Sequence, residues 1–146
     1  MIIDVTERPL TRIEPIRSQA HALELLKTTE YADDKAMENI LLTNVLRDSE
    51  SWVCIADGEV GAFWGVTPKS ILADEAYFWV LTTKIAKKWP FVFIRGSQLV
   101  VDELLNHYTR LVGLCEDENA MRWLRRFGAT FGEKVMGKVA FEIRRK

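Results

Sequence analysis

The sequence predicts an α/β chain, with one mixed sheet packed between helices. Near residue 50 the hydrophobic period changes from helical to extended. The pair Asp57-Gly58 then separates two apolar runs, 52–56 and 60–67. That is a hairpin signal, because a type I′ turn needs φ > 0 at both central residues. Over the whole chain, extended runs and helical stretches follow in the order β-α-α-β-β-β-α-β-α-β-β. No repeat, low-complexity tract or linker divides the chain, so residues 1–146 read as a single domain able to bury a core.

The elements follow in turn. Residues 2–8 alternate weakly and predict a first strand. Over residues 14–28, Ile16, Ala20, Leu23 and Leu26 keep helical spacing, with Pro15 tolerable in a first turn. A second helix over residues 33–47 would bury Met37, Ile40, Leu41 and Val45. Residues 76–83 are apolar at both parities and predict a fully buried strand. Pro90 suits the first turn of a third helix running to His107, with Ile94, Val101, Leu104, Leu105 and Tyr108 inward. Gly96 within it is a local weakness of roughly 1 kcal/mol relative to alanine. Residues 110–115 form the next strand, and residues 130–136 and 139–144 a final hairpin around Gly137-Lys138.

Composition narrows the function classes. Nearly half the residues are apolar and the 20 basic and 21 acidic side chains almost cancel, giving no charge signal for nucleic acid or an anionic membrane. No apolar run approaches the roughly 20 residues that cross a bilayer. Met1-Ile2-Ile3-Asp4 has neither the basic segment nor the apolar region of a secretory leader. Cys54 and Cys115 lie in strand-like apolar runs and read as buried free thiols in a reducing compartment.

Residues 111–129 are the most informative stretch. A strand ends at Cys115, acids and an amide follow (Glu116, Asp117, Glu118, Asn119), and a short helix begins. Ala120, Trp123, Leu124 and Phe127 fall at i, i+3, i+4 and i+7 on one face, opposite Arg122, Arg125 and Arg126. Asp117 or Asn119 can cap that helix, and Gly128 suits its left-handed C′ position. This segment resembles the acyl-CoA-closing segment of the GNAT acyltransferases, Asn-x-x-Ala followed by a turn and Gly-Phe. Asp117 stands for the Asn, Ala120 for the Ala and Gly128-Ala129 for Gly-Phe. The element order is also that of the GNAT fold, whose fourth and fifth strands are parallel and splay to admit the cofactor. A narrower likeness runs over about the last 70 residues, through Phe78-Trp79-Val80-Leu81-Thr82-Thr83, Glu103-Leu104-Leu105-Asn106-His107-Tyr108 and residues 122–131. There the chain is similar to small GNAT-like proteins of tailed phages and prophages, a group that includes the T7-type internal virion protein A.

The resemblance implies an acetyl-CoA-dependent N-acyltransferase acting on an amine of a small molecule or protein. Val80, Leu81 and Thr82 would hold the pantetheine, and Glu116 and Asp117 would border the acceptor. Residues 82–90 depart from the family, which there carries Gln/Arg-x-x-Gly-x-Gly/Ala so that backbone amides approach the pyrophosphate. This chain has no glycine in that stretch, and Lys84, Lys87 and Lys88 are its point charges for phosphate, or else a solvated basic connector. Arg95-Gly96-Ser97-Gln98 faintly matches the motif but falls within the third helix. Many family members place a proton-donating Tyr four residues before the glycine, and here that position is Leu124. Glu75 and Asp117 are the candidate catalytic carboxylates, with a surface glutamate beside Asp74 as the plainer reading of Glu75. The resemblance equally admits a virion or morphogenesis protein that keeps the fold without the chemistry, located in the virion or the bacterial cytoplasm, with other virion proteins as partners.

Other constellations are weak. His21 and His107 lie far apart, so no metal site is predicted. No nucleophile elbow occurs. Of five tryptophans, Trp64 and Trp89 are candidates to line a groove, and Gly61 and Gly65 mark bulges or close approach to a ligand. Arg144-Arg145-Lys146 reads as a solvated end.

Overall fold

The computed structural model describes residues 3–5, 11–46, 50–70, 74–115 and 118–145. Its eight strands are β1 (Ile3–Val5), β2 (Thr11–Pro15), β3 (Glu50–Ala56), β4 (Glu59–Pro68), β5 (Glu75–Thr82), β6 (Arg110–Cys115), β7 (Thr130–Val135) and β8 (Lys138–Arg144). Five helices connect them: α1 (Gln19–Leu26), α2 (Lys35–Leu46), α3 (Lys84–Lys88), α4 (Pro90–His107) and α5 (Glu118–Arg126). The strands form one sheet in the order β1-β2-β3-β4-β5-β6-β8-β7. Neighbours are antiparallel except β5 and β6, which run parallel with α3 and α4 as the crossover.

A core lies on each side of the sheet. On one, Phe93, Val100, Val101 and Leu104 of α4, with Leu124 of α5 and Phe127 just after it, pack on Ile13, Trp64, Phe78, Leu111, Phe141 and Ile143. On the other, Ala22 and Leu26 of α1 and Leu41 of α2 cover Val53, Val60 and Phe63. The α1/α2 layer spans only part of the sheet, so Tyr77 and Leu114 remain 50% and 61% exposed. Residues 76–83 are therefore not the fully buried strand that composition predicts; only Ala76 and Phe78 are buried within β5.

The turns follow from local chemistry. Asp57 and Gly58 adopt φ of 50° and 79°, as the hairpin signal requires. The last hairpin turns at Met136-Gly137 (φ 53° and 82°), one residue earlier than predicted. The first helix begins at Gln19 rather than residue 14, because Pro15 ends β2 and Ser18 is the cap, its hydroxyl accepting from the His21 N–H at 3.1 Å. The strand β2, whose last two residues overlap the stretch read as helix, is an element the sequence did not show. In α1 the buried residues are Ala22 and Leu26, and Ile16 lies before the helix. Asp34 caps α2 through Met37 N–H, and Ile40, predicted inward, is 53% exposed while Leu41 is buried. Arg47, at the predicted end of that helix, lies outside the described residues.

Gly96 belongs to the buried face of α4 together with Phe93, Ser97 and Val100. Ser97 accepts a hydrogen bond from the Trp64 indole at 3.0 Å, which satisfies a buried donor deep in the core. Ile94, Leu105 and Tyr108 pack at the margin instead of the centre.

Candidate functional site

The parallel pairing of β5 and β6 sets the site. It extends only through Glu75↔Arg110, Ala76↔Leu111 and Tyr77↔Val112. Both strands continue, but with partners on their outer sides alone: β5 with β4 as far as Thr82↔Ala62, and β6 with β8 as far as Cys115↔Val139. The sheet therefore opens into a cleft along residues 78–82. Gly113 stands at its apex. A Cβ built there would lie 2.5 Å from the Phe78 carbonyl oxygen and 2.6 Å from the Phe141 ring, so only glycine allows the two strands to come this close.

Val80, Leu81 and Thr82 occupy the separated part of β5, and all three are partly exposed. Val80 points to the α4 side and Leu81 to the α1/α2 side, as strand alternation dictates. The basic stretch predicted as a connector is a short helix, α3. Thr83 ends the strand and starts the helix: its hydroxyl donates to the Val60 carbonyl (2.8 Å) and accepts from the Ile85 N–H (3.2 Å). That local cap explains how a glycine-free sequence turns helical so soon after a strand. Lys84, Lys87 and Lys88 are exposed on α3, and Lys88 Nζ sits 5.5 Å from the Trp89 ring centroid. The lysines and residues 80–82 are thus contiguous at one end of β5.

Glu75 is at the other end. It lies seven residue steps from Thr82 along the strand, roughly 23 Å of extended chain. Its Oε2 receives both Lys69 Nζ (3.0 Å) and Arg110 Nη2 (3.2 Å), and Arg110 continues to Glu142 at 3.0 Å. The Glu142 carboxyl is held below its ordinary value of 4.5, chiefly by the hydrogen bond from Arg144, with Arg110 and Arg144 charges adding to it. Asp117 and Glu116 lie outside the described residues, as do the side chains of Asn119 and Ala120. Asn119 itself lies within α5.

Leu124, where a proton-donating Tyr would be expected, is 2% exposed and part of the core. Trp123 is only partly buried, so Leu124 and Phe127 anchor α5, while Arg122, Arg125 and Arg126 are exposed. Gly128 has φ +88°, the left-handed C′ conformation.

Gly61 and Gly65 make room for side chains of this chain. A Cβ at 61 would meet the Phe93 ring at 1.9 Å, and one at 65 the Trp79 ring at 2.1 Å. Cys54 and Cys115 are buried, and burial pushes the Cys54 thiol up to about 12. Among the described residues no group of three or more His, Cys, Asp or Glu side chains is placed to hold a metal ion. None of their helices is long and apolar enough to cross a membrane.

Sequence reasoning missed two further residues at the end of β5. Glu30 and Tyr31, from the connection between α1 and α2, reach across to it. Glu30 Oε2 accepts from the Lys84 backbone N–H at 2.6 Å, and the Tyr31 hydroxyl donates to the Thr82 carbonyl at 2.8 Å. No local sequence pattern announces a contact across more than fifty positions. Gly113 did carry a signal, as a glycine inside a strand pattern.

No protein-family model matches the sequence, and a search of curated proteins finds no match. Solved structures do match. The GNAT domain of PAT from S. lividans superposes with a TM-score of 0.68 at 15% identity, covering 99% of this chain and 97% of that one. This chain has the GNAT fold. Ribosomal-protein-S5-alanine acetyltransferase from Vibrio fischeri gives a TM-score of 0.69 at 7% identity, over 97% of this chain and 96% of its own. RimL, a ribosomal L7/L12 α-N-protein acetyltransferase in complex with coenzyme A, gives 0.67 at 11% identity, over 99% and 98%. Likenesses at identities this low establish the fold; substrate and chemistry do not follow from them.

Proposed function

We propose that the chain is an acyl-CoA-binding protein of N-acetyltransferase type, acting on an amine of a small molecule or protein. The observation that carries this is the cleft between β5 and β6, whose β5 wall presents main chain without a strand partner on that side. An extended amide-bearing arm fits such a wall, because unpaired strand N–H and C=O groups hydrogen-bond a neighbouring chain. Val80, Leu81 and Thr82 would hold the pantetheine arm, and Lys84, Lys87 and Lys88 would face the phosphates. Bound there, acetyl-CoA would supply an acyl group activated as a thioester. Glu75 and Asp117 are the candidate carboxylates for taking the proton from the acceptor amine. In Glu75 both ion pairs use Oε2. Leu124 has no proton to give, so water is the acid available to a departing thiolate.

A second reading is a virion or morphogenesis protein of phage or prophage origin that keeps the fold without catalysis, and one observation supports its lack of catalysis. The position for a catalytic Tyr is filled by a leucine committed to the core. Calorimetric titration with acetyl-CoA separates the two. Saturable binding in the micromolar range supports the acyltransferase reading, and silence at millimolar ligand supports the structural one.

A further inference from the structure

The end of β5 carries one carboxylate beside its three exposed lysines. Glu30 is held there. The connection that bears it is internally tied: Thr29 hydroxyl donates to Leu26 carbonyl and accepts from Tyr31 N–H, while Ala32 and Asp34 N–H groups bond back to Thr29 and Tyr31 carbonyls. Tyr31 packs with Leu81 and Trp79 against the α1/α2 core and bonds the Thr82 carbonyl, so the backbone on either side of Thr83, at Thr82 C=O and Lys84 N–H, is fastened to this connection. The Glu30 carboxylate thus stands at the first turn of α3, the helix that bears Lys84, Lys87 and Lys88.

We infer that Glu30 is a specificity-determining residue of the cleft, set against acyl carriers whose phosphates pass the end of β5 and indifferent to uncharged pantetheine carriers. Tyr31 is the positioning residue that holds it there. The inference rests on the acyl-carrier reading of the cleft. Its physical basis is like-charge repulsion: a fixed carboxylate near phosphate opposes binding, whereas a ligand without charge pays no such penalty. The contact is exposed and screened by salt, so the effect is moderate.

The test compares acetyl-CoA with S-acetyl-pantetheine by calorimetry at low salt, for the wild type, Glu30→Gln and Tyr31→Phe. Glutamine can still accept from Lys84 N–H, so the change removes charge and keeps the contact. Glu30→Gln should strengthen acetyl-CoA binding by about three- to tenfold and move S-acetyl-pantetheine by less than about twofold. Tyr31→Phe should shift the same ratio in the same direction and speed hydrogen exchange at the Lys84 amide. Binding of both ligands with an unchanged ratio overturns the role of Glu30 and leaves the cleft reading standing. Silence of wild type and Glu30→Gln towards both ligands overturns both.

Discussion

Alanine at Gly113 is expected to destabilise the fold, while alanine at Gly96 is expected to stabilise it. At Gly113 the new Cβ would lie 2.5 Å from the Phe78 carbonyl oxygen and 2.6–2.7 Å from two atoms of the Phe141 ring. Neither neighbour can yield easily. The oxygen belongs to β5, which is paired with β4 along its length, and Phe141 is buried under α5. Overpacking of this kind costs about 1–3 kcal/mol, against about 0.5–1 kcal/mol gained by restricting the unfolded chain. At Gly96 the Cβ would meet Ile13, Trp64 and Cys54 at 3.4–3.7 Å, ordinary van der Waals contact. There the helix gains about 0.5–1 kcal/mol with little steric offset. Urea unfolding followed by tryptophan fluorescence gives both numbers, provided the m-values match the wild type. The two variants should move the midpoint in opposite directions. A Gly113→Ala protein as stable as the wild type would refute the close approach of the two strands at the cleft apex.

Leu124→Ala should lose about 2–5 kcal/mol in the same assay, because a buried leucine leaves a cavity; a loss below about 1 kcal/mol would show that α5 is seated differently. The triple change of Lys84, Lys87 and Lys88 to alanine should weaken acetyl-CoA binding by roughly tenfold and lower its salt dependence, with stability nearly unchanged. Native protein should give no fast reaction with a thiol reagent at pH 8, since Cys54 and Cys115 are buried, and both should react once urea unfolds the chain. Glu142, whose folded value is depressed, contributes stability above its ordinary value of 4.5 and loses it as acid takes the pH below that. Arg144→Gln should flatten that acid limb of the stability profile, and an acid limb identical to the wild type's would refute the pairing.

Much of the architecture was legible in local chemistry. Asp57-Gly58, Pro90, Gly128 and the spacing of Leu124 and Phe127 each act over a few residues, and each behaves in the structure as its chemistry requires. Where a position depends on which layer covers it, periodicity misled: Ile40 and Leu41 are adjacent and equally apolar, yet only Leu41 meets the sheet. Residues 76–83 looked buried on both faces because composition cannot tell that α1 and α2 stop short of β6. The stretch after Thr82 read as lysine point charges for phosphate or as a solvated basic connector, and Thr83 makes it a helix.

The sequence by itself determined the hairpin turns, the helix stops and most of the order of elements, since these rest on contacts or backbone preferences between near neighbours, whereas the divergence of two parallel strands was expected from the resemblance to the GNAT fold. Tertiary structure alone decided where the divergence begins, through Gly113 against Phe78 and Phe141, and what guards its far end, through Glu30 and Tyr31 against Lys84 and Thr82. Those contacts join residues from about thirty to more than fifty positions apart. Their strength comes from close approach in a packed sheet, and no local pattern of residues encodes a distance.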